Sequence, residues 1–274
     1  MPQFKCPVCG EGLQPVERCF RCSKGHSFDI ARQGYVNLLM SNHSSAKRHG
    51  DDKAMVDARR LFLDKGYYAP LRQAVCAVAV EHCGKTVELL DAGCGEGWYT
   101  VGVKETLEAA GKTCHACGID ISREALIQAA RRDAGLQLAV AGVNNLPVPD
   151  GSCDLLMSIF APHDEGEFRR VLRKGGILLR VVPLEEHLMG LKAAVYDRPY
   201  PNPSPDCTPP SGFTMLECRE VRSTLQLPCG EDIRNLFMMT PYYYKTGRRD
   251  QEKLAALEEL ETEIAFGIFV YQRI

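Results

Sequence analysis

From about residue 70 onward, short apolar runs recur at regular intervals, at 87–92, 114–119, 136–141, 153–160 and 176–182. Each has the length of a strand, and the segments between them, such as 122–132 and 164–173, have room for helices. That alternation predicts an α/β fold with a doubly wound, mostly parallel sheet. Upstream, "DDKAMVDARRLFLDKGYY" places Met55, Ala58, Leu61 and Phe62 on one helical face with Arg59 and Arg60 beside it, an amphipathic helix ending near Gly66. Beyond Pro183, a helical piece at 185–196 leads into "DRPYPNPSPDCTPPSG", too rich in proline to hold regular structure. The end returns to strands in "CREVRSTLQL" and "EIAFGIFVYQ", with helical stretches at 231–238 and 250–261.

Residues 1 to about 40 break this pattern. They are turn-rich and carry too few apolar positions to hold a core without a staple. "SNHSSAKRHGDDK", 41–53, lacks periodicity and reads as a linker or loop. The expected division is a small module at 1–36, a linker and amphipathic helix at 37–70, and the α/β domain at 71–274.

Composition sharpens this picture in two places. Thirteen cysteines in a chain with no apolar run long enough to span a bilayer, and with no signal-peptide core at "MPQFKCP", point to a cytoplasmic protein whose thiols bind metal or lie buried. The net charge of −2 conceals an asymmetry: residues 1–60 hold 10 Lys/Arg against 6 Asp/Glu, whereas 61–274 hold 23 against 29. A polyanion would therefore prefer the front end.

The staple is visible in "CPVCGEGLQPVERCFRCSKGH". Cys6 and Cys9 form C-x2-C, and Cys22 and His26 form C-x3-H, two pairs that can close a tetrahedral Zn²⁺ site. Cys19 competes, because Cys19 and Cys22 also make C-x2-C and would give a four-thiolate site. The preferred ligands are Cys6, Cys9, Cys22 and His26. Four protein ligands leave no open position, so this zinc is structural. Cys114 and Cys117 share the spacing but lie in a strand pattern, where buried core thiols are expected.

"ELLDAGCGEGWYT", residues 88–100, is an apolar strand ending in Asp91 and entering a turn with Gly93, Gly95 and Gly97. Glycines at the carboxyl end of a first strand let the backbone approach a cofactor. In "CGIDIS", Asp120 and Ile121 end the next strand, with the carboxylate placed for two ribose hydroxyls. A nicotinamide dinucleotide calls for G-x-G-x-x-G. Here the order is G-x-G-x-G with Glu96 inside the turn, which would repel a pyrophosphate and suits a cationic ligand.

This turn resembles the first motif of class I S-adenosylmethionine-dependent methyltransferases. By that resemblance, Gly93, Gly95 and Gly97 wrap the methionine half, Asp120 holds the ribose, and "AGVNNLPVPDGSCDLLMS" is the adenine-side loop, with Asn144 and Asn145 flanking the position that often carries an acid. With the zinc knuckle, "FDIARQGYVNLL", "GDDKAMVDARRLFLDKGYYAPL", "IFAP", "HLMGLKAAVYD" and "MTPYYYK" added in order, the chain resembles the bacterial 23S ribosomal RNA guanine-N1 methyltransferases over essentially its whole length. The resemblance implies methyl transfer from S-adenosylmethionine to N1 of a guanine in an RNA hairpin. It also implies 23S rRNA as partner, an N-terminal module that contributes to RNA binding, and a homodimer. Lys5, Arg18, Arg21, Lys24 and Arg32 are candidates for phosphate contacts. Competing readings are a small-molecule methyltransferase with the knuckle as a lid, and a non-catalytic RNA-binding scaffold.

Guanine N1 carries a proton at neutral pH, which must leave as N1 attacks the sulfonium methyl. In related enzymes the turn after the fourth strand presents the acceptor. Here that turn is Phe160-Ala161-Pro162-His163-Asp164. Phe160 is placed to stack on a base, the Pro162 turn to direct carbonyls at its edge, and His163 or Asp164 to take the proton. The alternative is that His163 only starts a helix and Asp164 caps it.

Overall fold

The computed structural model describes residues 4–40 and 50–274. Most of the expected linker, 41–49, lies outside the described residues. The chain opens with β1 (Gln14–Val16), β2 (Cys19–Arg21) and β3 (Ser27–Asp29), which form a small antiparallel sheet. There follow β4 (Tyr35–Asn37), α1 (Lys53–Asp64), α2 (Ala69–His82), β5 (Thr86–Ala92), α3 (Trp98–Ala109), β6 (Thr113–Asp120), α4 (Arg123–Arg132) and β7 (Gln137–Val140). The rest is β8 (Cys153–Ile159), α5 (Glu165–Val171), β9 (Leu172–Pro183), α6 (Met189–Val195), β10 (Phe213–Leu227), α7 (Gly230–Met238), α8 (Arg248–Ala255) and β11 (Leu260–Arg273).

The large sheet has the order β10-β11-β9-β8-β5-β6-β7-β4. β11 is antiparallel to both neighbours, and the remaining pairs are parallel. β5 and β8 lie side by side at its centre, so the turns leaving their carboxyl ends share one crevice, the place where such sheets bind ligands.

Alternation along the strands assigns two cores. Leu89, Leu155, Met157 and Leu179 face the helical layer of α1, α2 and α3, together with Phe62, Leu71 and Leu107. Leu90, Ala92, Leu156 and Leu178 face the other side, where Phe168 and Val171 of α5 are joined by Phe4, Leu13, Val36 and Leu38 from the N-terminal part. The cysteine-bearing module is therefore part of the sheet's second cover. Burying side chains such as Phe4 and Leu13, which are almost fully buried, contributes roughly 1.5–3 kcal/mol each.

Differences from the sequence expectations have local causes. β4 pairs in parallel with β7, so the expected module boundary at residue 36 falls inside a strand of the large sheet. In α1, Asp52 caps the first turn by accepting from the Met55 amide at 3.0 Å, and Gly66 closes the last at φ +80°. Leu61 is left 37% exposed, and Leu63 joins the buried face in its place. The helix expected at 185–196 starts only at Met189, because Leu188 adopts a left-handed backbone at φ 60°. The one expected at 250–261 ends at Ala255, since Leu260 already pairs with Leu227. Cys114 and Cys117 are buried in the core.

Candidate active site and metal centre

Two tight turns build the metal centre. The Gly10 amide donates to the Cys6 carbonyl at 2.9 Å, and the Gly25 amide donates to the Cys22 carbonyl at 3.0 Å. Each turn brings one sequence pair together, and the β1–β2 pairing, with the Leu13 amide donating to the Phe4 carbonyl, carries the second pair to the first. Cys22 Sγ lies 3.3 Å from His26 Nδ1, Cys6 Sγ lies 3.6 Å from the same nitrogen, and Cys9 Sγ and Cys22 Sγ are 3.6 Å apart. All four ligand atoms fall within 4.8 Å of one another. Zinc–sulfur bonds of about 2.3 Å in a tetrahedron set edges of roughly 3.8 Å, so the group fits Zn²⁺ in a closed, structural site. Cys19 points elsewhere, its thiol 3.3 Å from the Val16 carbonyl. A second cluster among the described residues, Glu81, His82 and Glu217, already holds a cation: Arg219 bonds Glu81 at 2.8 Å and Glu217 at 3.0 Å.

The cofactor turn hangs from the ends of β5 and β6. The Gly93 and Cys94 amides donate to the Ile119 carbonyl at 2.8 and 3.0 Å. Gly93, Gly95 and Gly97 have φ of +92°, +55° and +81°, a region that disfavours side chains. Two are also pinned by neighbours. A Cβ on Gly93 would sit 2.5 Å from Ala161 Cβ, and one on Gly97 would sit 3.1 Å from Ala129 Cβ. The first contact packs the glycine turn against the loop after β8.

Asp120 closes the turn from the side: its carboxylate accepts from the Gly95 amide at 2.9 Å and the Ser122 amide at 2.7 Å. Burial raises its pKa, against the pull of those two amides. Ile121 Cγ2 is in the path of any side chain at Gly50, and Ser122 Oγ donates to the Asp51 carbonyl at 2.7 Å, so the entrance to α1 borders this side of the site. Asn144 and Asn145 are exposed on the turn after β7, which is tied to β6 by the Ala141 amide donating to the Asp120 carbonyl at 3.1 Å. Arg170 of α5 grips the continuation of that loop through the Leu146 and Val148 carbonyls, both at 2.8 Å. Arg170 opens the "RVLRKGG" stretch, but its grip on this loop is not legible there, since it depends on residues some twenty positions away. The Lys5 amide donates to the Pro147 carbonyl at 2.8 Å, joining the zinc module to the same loop.

Two carboxylates, Glu96 in the turn and Asp91 on β5 just before it, are buried. Glu96, 2% exposed, pairs with Arg132 of α4, which also bonds Asp64 of α1 at 2.7 Å. Asp91, also 2% exposed, accepts from Thr100 Oγ1 at 2.6 Å. Burial pushes the Asp91 pKa up to about 7 from an ordinary 3.8, with Thr100 opposing and Asp120 adding to the rise. The native state therefore keeps a proton that the unfolded chain loses between about pH 4 and pH 7, and stability falls as pH rises through that window. Asp91→Asn keeps an acceptor for Thr100 and never ionises. Its stability relative to the wild type is expected to grow by up to about 1.4 kcal/mol per pH unit across the window, measured by urea unfolding with zinc saturated. Parallel pH profiles would show that Asp91 ionises freely in the fold.

The loop after β8 opens on Phe160, which has φ 54° and is 45% exposed. Its ring lies 5.2 Å from that of Phe266 on β11 and 6.4 Å from that of Tyr99 on α3. Pro162 is exposed beside it. The His163 ring packs edge-on against Phe168 at 4.9 Å, and both its nitrogens are buried without a hydrogen-bond partner. Burial, and then Arg180, lower its pKa. Asp164 caps α5, accepting from the Glu167 amide at 3.0 Å. Tyr99, Phe266 and buried His187, whose ring lies 4.5 Å from that of Phe266, complete an aromatic wall drawn from three separate stretches of the sequence.

The family model described as "RlmA, N-terminal" matches residues 4–47, and one described as "Methyltransferase domain" matches residues 89–176. A "23S rRNA (guanine(748)-N(1))-methyltransferase" of Streptomyces fradiae is 39% identical over 195 residues, covering 70% of this chain and 67% of the relative. A "putative 23S rRNA (guanine-N(1)-)-methyltransferase" of Micromonospora griseorubida is 37% identical over 210 residues, covering 70% and 69%. Among solved structures, a "putative Type II methyltransferase" from Anaeromyxobacter dehalogenans covers 83% of this chain and 98% of its own, with a TM-score of 0.50 and 21% identity, a likeness of fold.

Proposed function

Because the chain belongs to the family of 23S rRNA (guanine-N1)-methyltransferases, we infer that it transfers a methyl group from S-adenosylmethionine to N1 of a guanine in 23S ribosomal RNA. The observation that carries the transfer is the contact of Gly93 with Ala161: the turn that fits the donor and the loop that fits the acceptor are packed against each other at the carboxyl ends of adjacent strands. Bound there, the sulfonium supplies an electrophilic methyl. What the chain adds is placement, the larger part of catalysis when a nucleophile need only be aligned.

We assign the roles within the site by the resemblance to the methyltransferases, and the geometry supports them. Gly93, Gly95 and Gly97 admit the methionine half, Asp120 takes the ribose hydroxyls, and Ile121, Asn144 and Asn145 border the adenine. Phe160, exposed and braced by Phe266, offers a face on which a base can stack, and Pro162 shapes the carbonyls at its edge. Of the two candidate proton acceptors, Asp164 is engaged in its cap, whereas the buried ring nitrogens of His163 make no hydrogen bond, Nε2 lying 4.0 Å from Glu165, and burial lowers its pKa and keeps it neutral. His163 is accordingly the one assigned to receive the N1 proton. Arg18, Arg21, Lys24 and Arg32 are exposed on the zinc module and supply phosphate contacts. Assembly as a homodimer and recognition of a hairpin belong to the same proposal. Among the described residues no helix is long and apolar enough to cross a membrane.

The test is transfer from labelled S-adenosylmethionine to 23S RNA from cells lacking this protein, followed by reverse transcription across it. A methyl on guanine N1 blocks the pairing edge, so a new stop at one guanine is expected. Labelling with no stop at a guanine would defeat the N1 assignment.

A further inference from the structure

The amino-acid half of S-adenosylmethionine carries a carboxylate, yet the turn that faces it is closed by Asp120, with Asp51 beside it, and holds Glu96 buried against Arg132. Arg132 is committed to two of the surrounding carboxylates, Glu96 and Asp64. Arg59 of α1 is placed differently. Its Nη1 lies 4.0 Å from where a Cβ on Gly95 would be, and its charge acts on Asp120, Glu96 and Tyr99 together. The guanidinium therefore stands over the middle of the glycine turn. One edge meets Asp51, and Nη2 donates to the Met239 carbonyl, just beyond the end of α7, at 3.4 Å. The Arg59 and Asp51 side chains are both partly exposed, 25% and 31%, so their ion pair is readily exchanged for another carboxylate.

We propose that Arg59 binds the carboxylate of the methionine half of S-adenosylmethionine, with Asp51 holding the guanidinium in position until that carboxylate replaces it. The inference rests on the methyl-donor reading above and adds a cofactor contact from outside the nucleotide-binding sheet. A planar fork is suited to a carboxylate in a way that a lysine is not, because it offers two parallel donors. The arrangement also explains why the entrance to α1 is pinned to Ser122: it brings the helix and its arginine to the cofactor turn.

Calorimetric titration of the full-length, zinc-loaded protein with S-adenosylmethionine and with its decarboxylated analogue tests this without reference to turnover. The wild type is expected to bind the analogue about 10- to 100-fold more weakly, the range for loss of a charge-assisted pair. Arg59→Gln should lose affinity for S-adenosylmethionine by a similar factor and bind the two compounds nearly equally, and Arg59→Lys should fall between. Asp51→Asn, which removes the carboxylate that competes for the guanidinium, should bind S-adenosylmethionine more tightly than the wild type. A wild type indifferent to the carboxylate overturns the assignment. So does an Arg59→Gln variant that still discriminates, or one that weakens both compounds equally, as a purely structural arginine would. If Asp51→Asn costs as much as Arg59→Gln, the ion pair itself builds the site and the assignment also fails. A wild type that binds neither compound refutes the methyl-donor reading instead.

Discussion

Replacing Cys22 with serine is expected to release the zinc and to reduce methyl transfer to 23S RNA by at least about 100-fold, the combined effect of an unfolded module and lost phosphate contacts. Cys22 is buried and touches both Cys9 and His26, so its loss opens the centre of the ligand group. Three short strands cannot replace a metal that contributes on the order of 10 kcal/mol to a module of this kind. Cofactor affinity should fall much less, because Gly93, Gly95 and Asp120 are held by β5 and β6. It should not be untouched, since the module also anchors the adenine-side loop through Lys5 and Pro147. Cys19→Ser should keep zinc and activity, its thiol being turned toward Val16. Elemental analysis, calorimetry with S-adenosylmethionine and transfer assays at several salt concentrations separate these effects. If Cys22→Ser loses its zinc yet methylates RNA at the full rate, the module serves only as a cover for the sheet.

That last possibility arises from a feature that sequence patterns conceal. The periodic part of the chain announces itself: β5, β6, β8 and β9 fall close to the apolar runs, and the glycine turn lies where a strand ending in Asp91 implies. Tyr35–Asn37 has only three residues, too short for a periodic signal, and its partner β7 is about a hundred residues away, so nothing local marks it as part of the large sheet. The same holds for Phe4 and Leu13, which look like isolated apolar residues in a polar knuckle until the face of the sheet they cover is known. In the site, residues within one motif were readable, while those meeting only in space were not. Arg59 sits on the polar side of an amphipathic helix, where the ordinary expectation is a solvated charge. The wall of Tyr99, His187 and Phe266 draws on three separate elements. His163 and Asp164 show the converse: the sequence offers either as a proton acceptor and a cap as the alternative for Asp164, and Asp164 does cap α5 while His163 packs on Phe168.

Asp120→Ala is expected to weaken S-adenosylmethionine binding by about 10- to 100-fold, corresponding to roughly 1.5–3 kcal/mol for the charge-assisted bonds of a carboxylate to ribose hydroxyls. The structure adds a second contribution. The carboxylate already accepts from the Gly95 and Ser122 amides, so alanine also frees the middle of the glycine turn and the start of α4. The two contributions can be told apart. Asp120→Asn keeps one oxygen acceptor and removes the charge, so it should hold the turn partly and bind the cofactor at an intermediate affinity. The sheet should survive both changes, because Ile119 and Val140 on either side of the β6–β7 pairing remain buried. Melting curves without cofactor report the cost to the turn, and calorimetry with S-adenosylhomocysteine reports the cost to the ligand. An alanine variant that melts lower but binds as tightly as the wild type would make Asp120 a brace for the turn and move the ribose to another group. One that melts normally and binds weakly would assign the carboxylate to the cofactor alone.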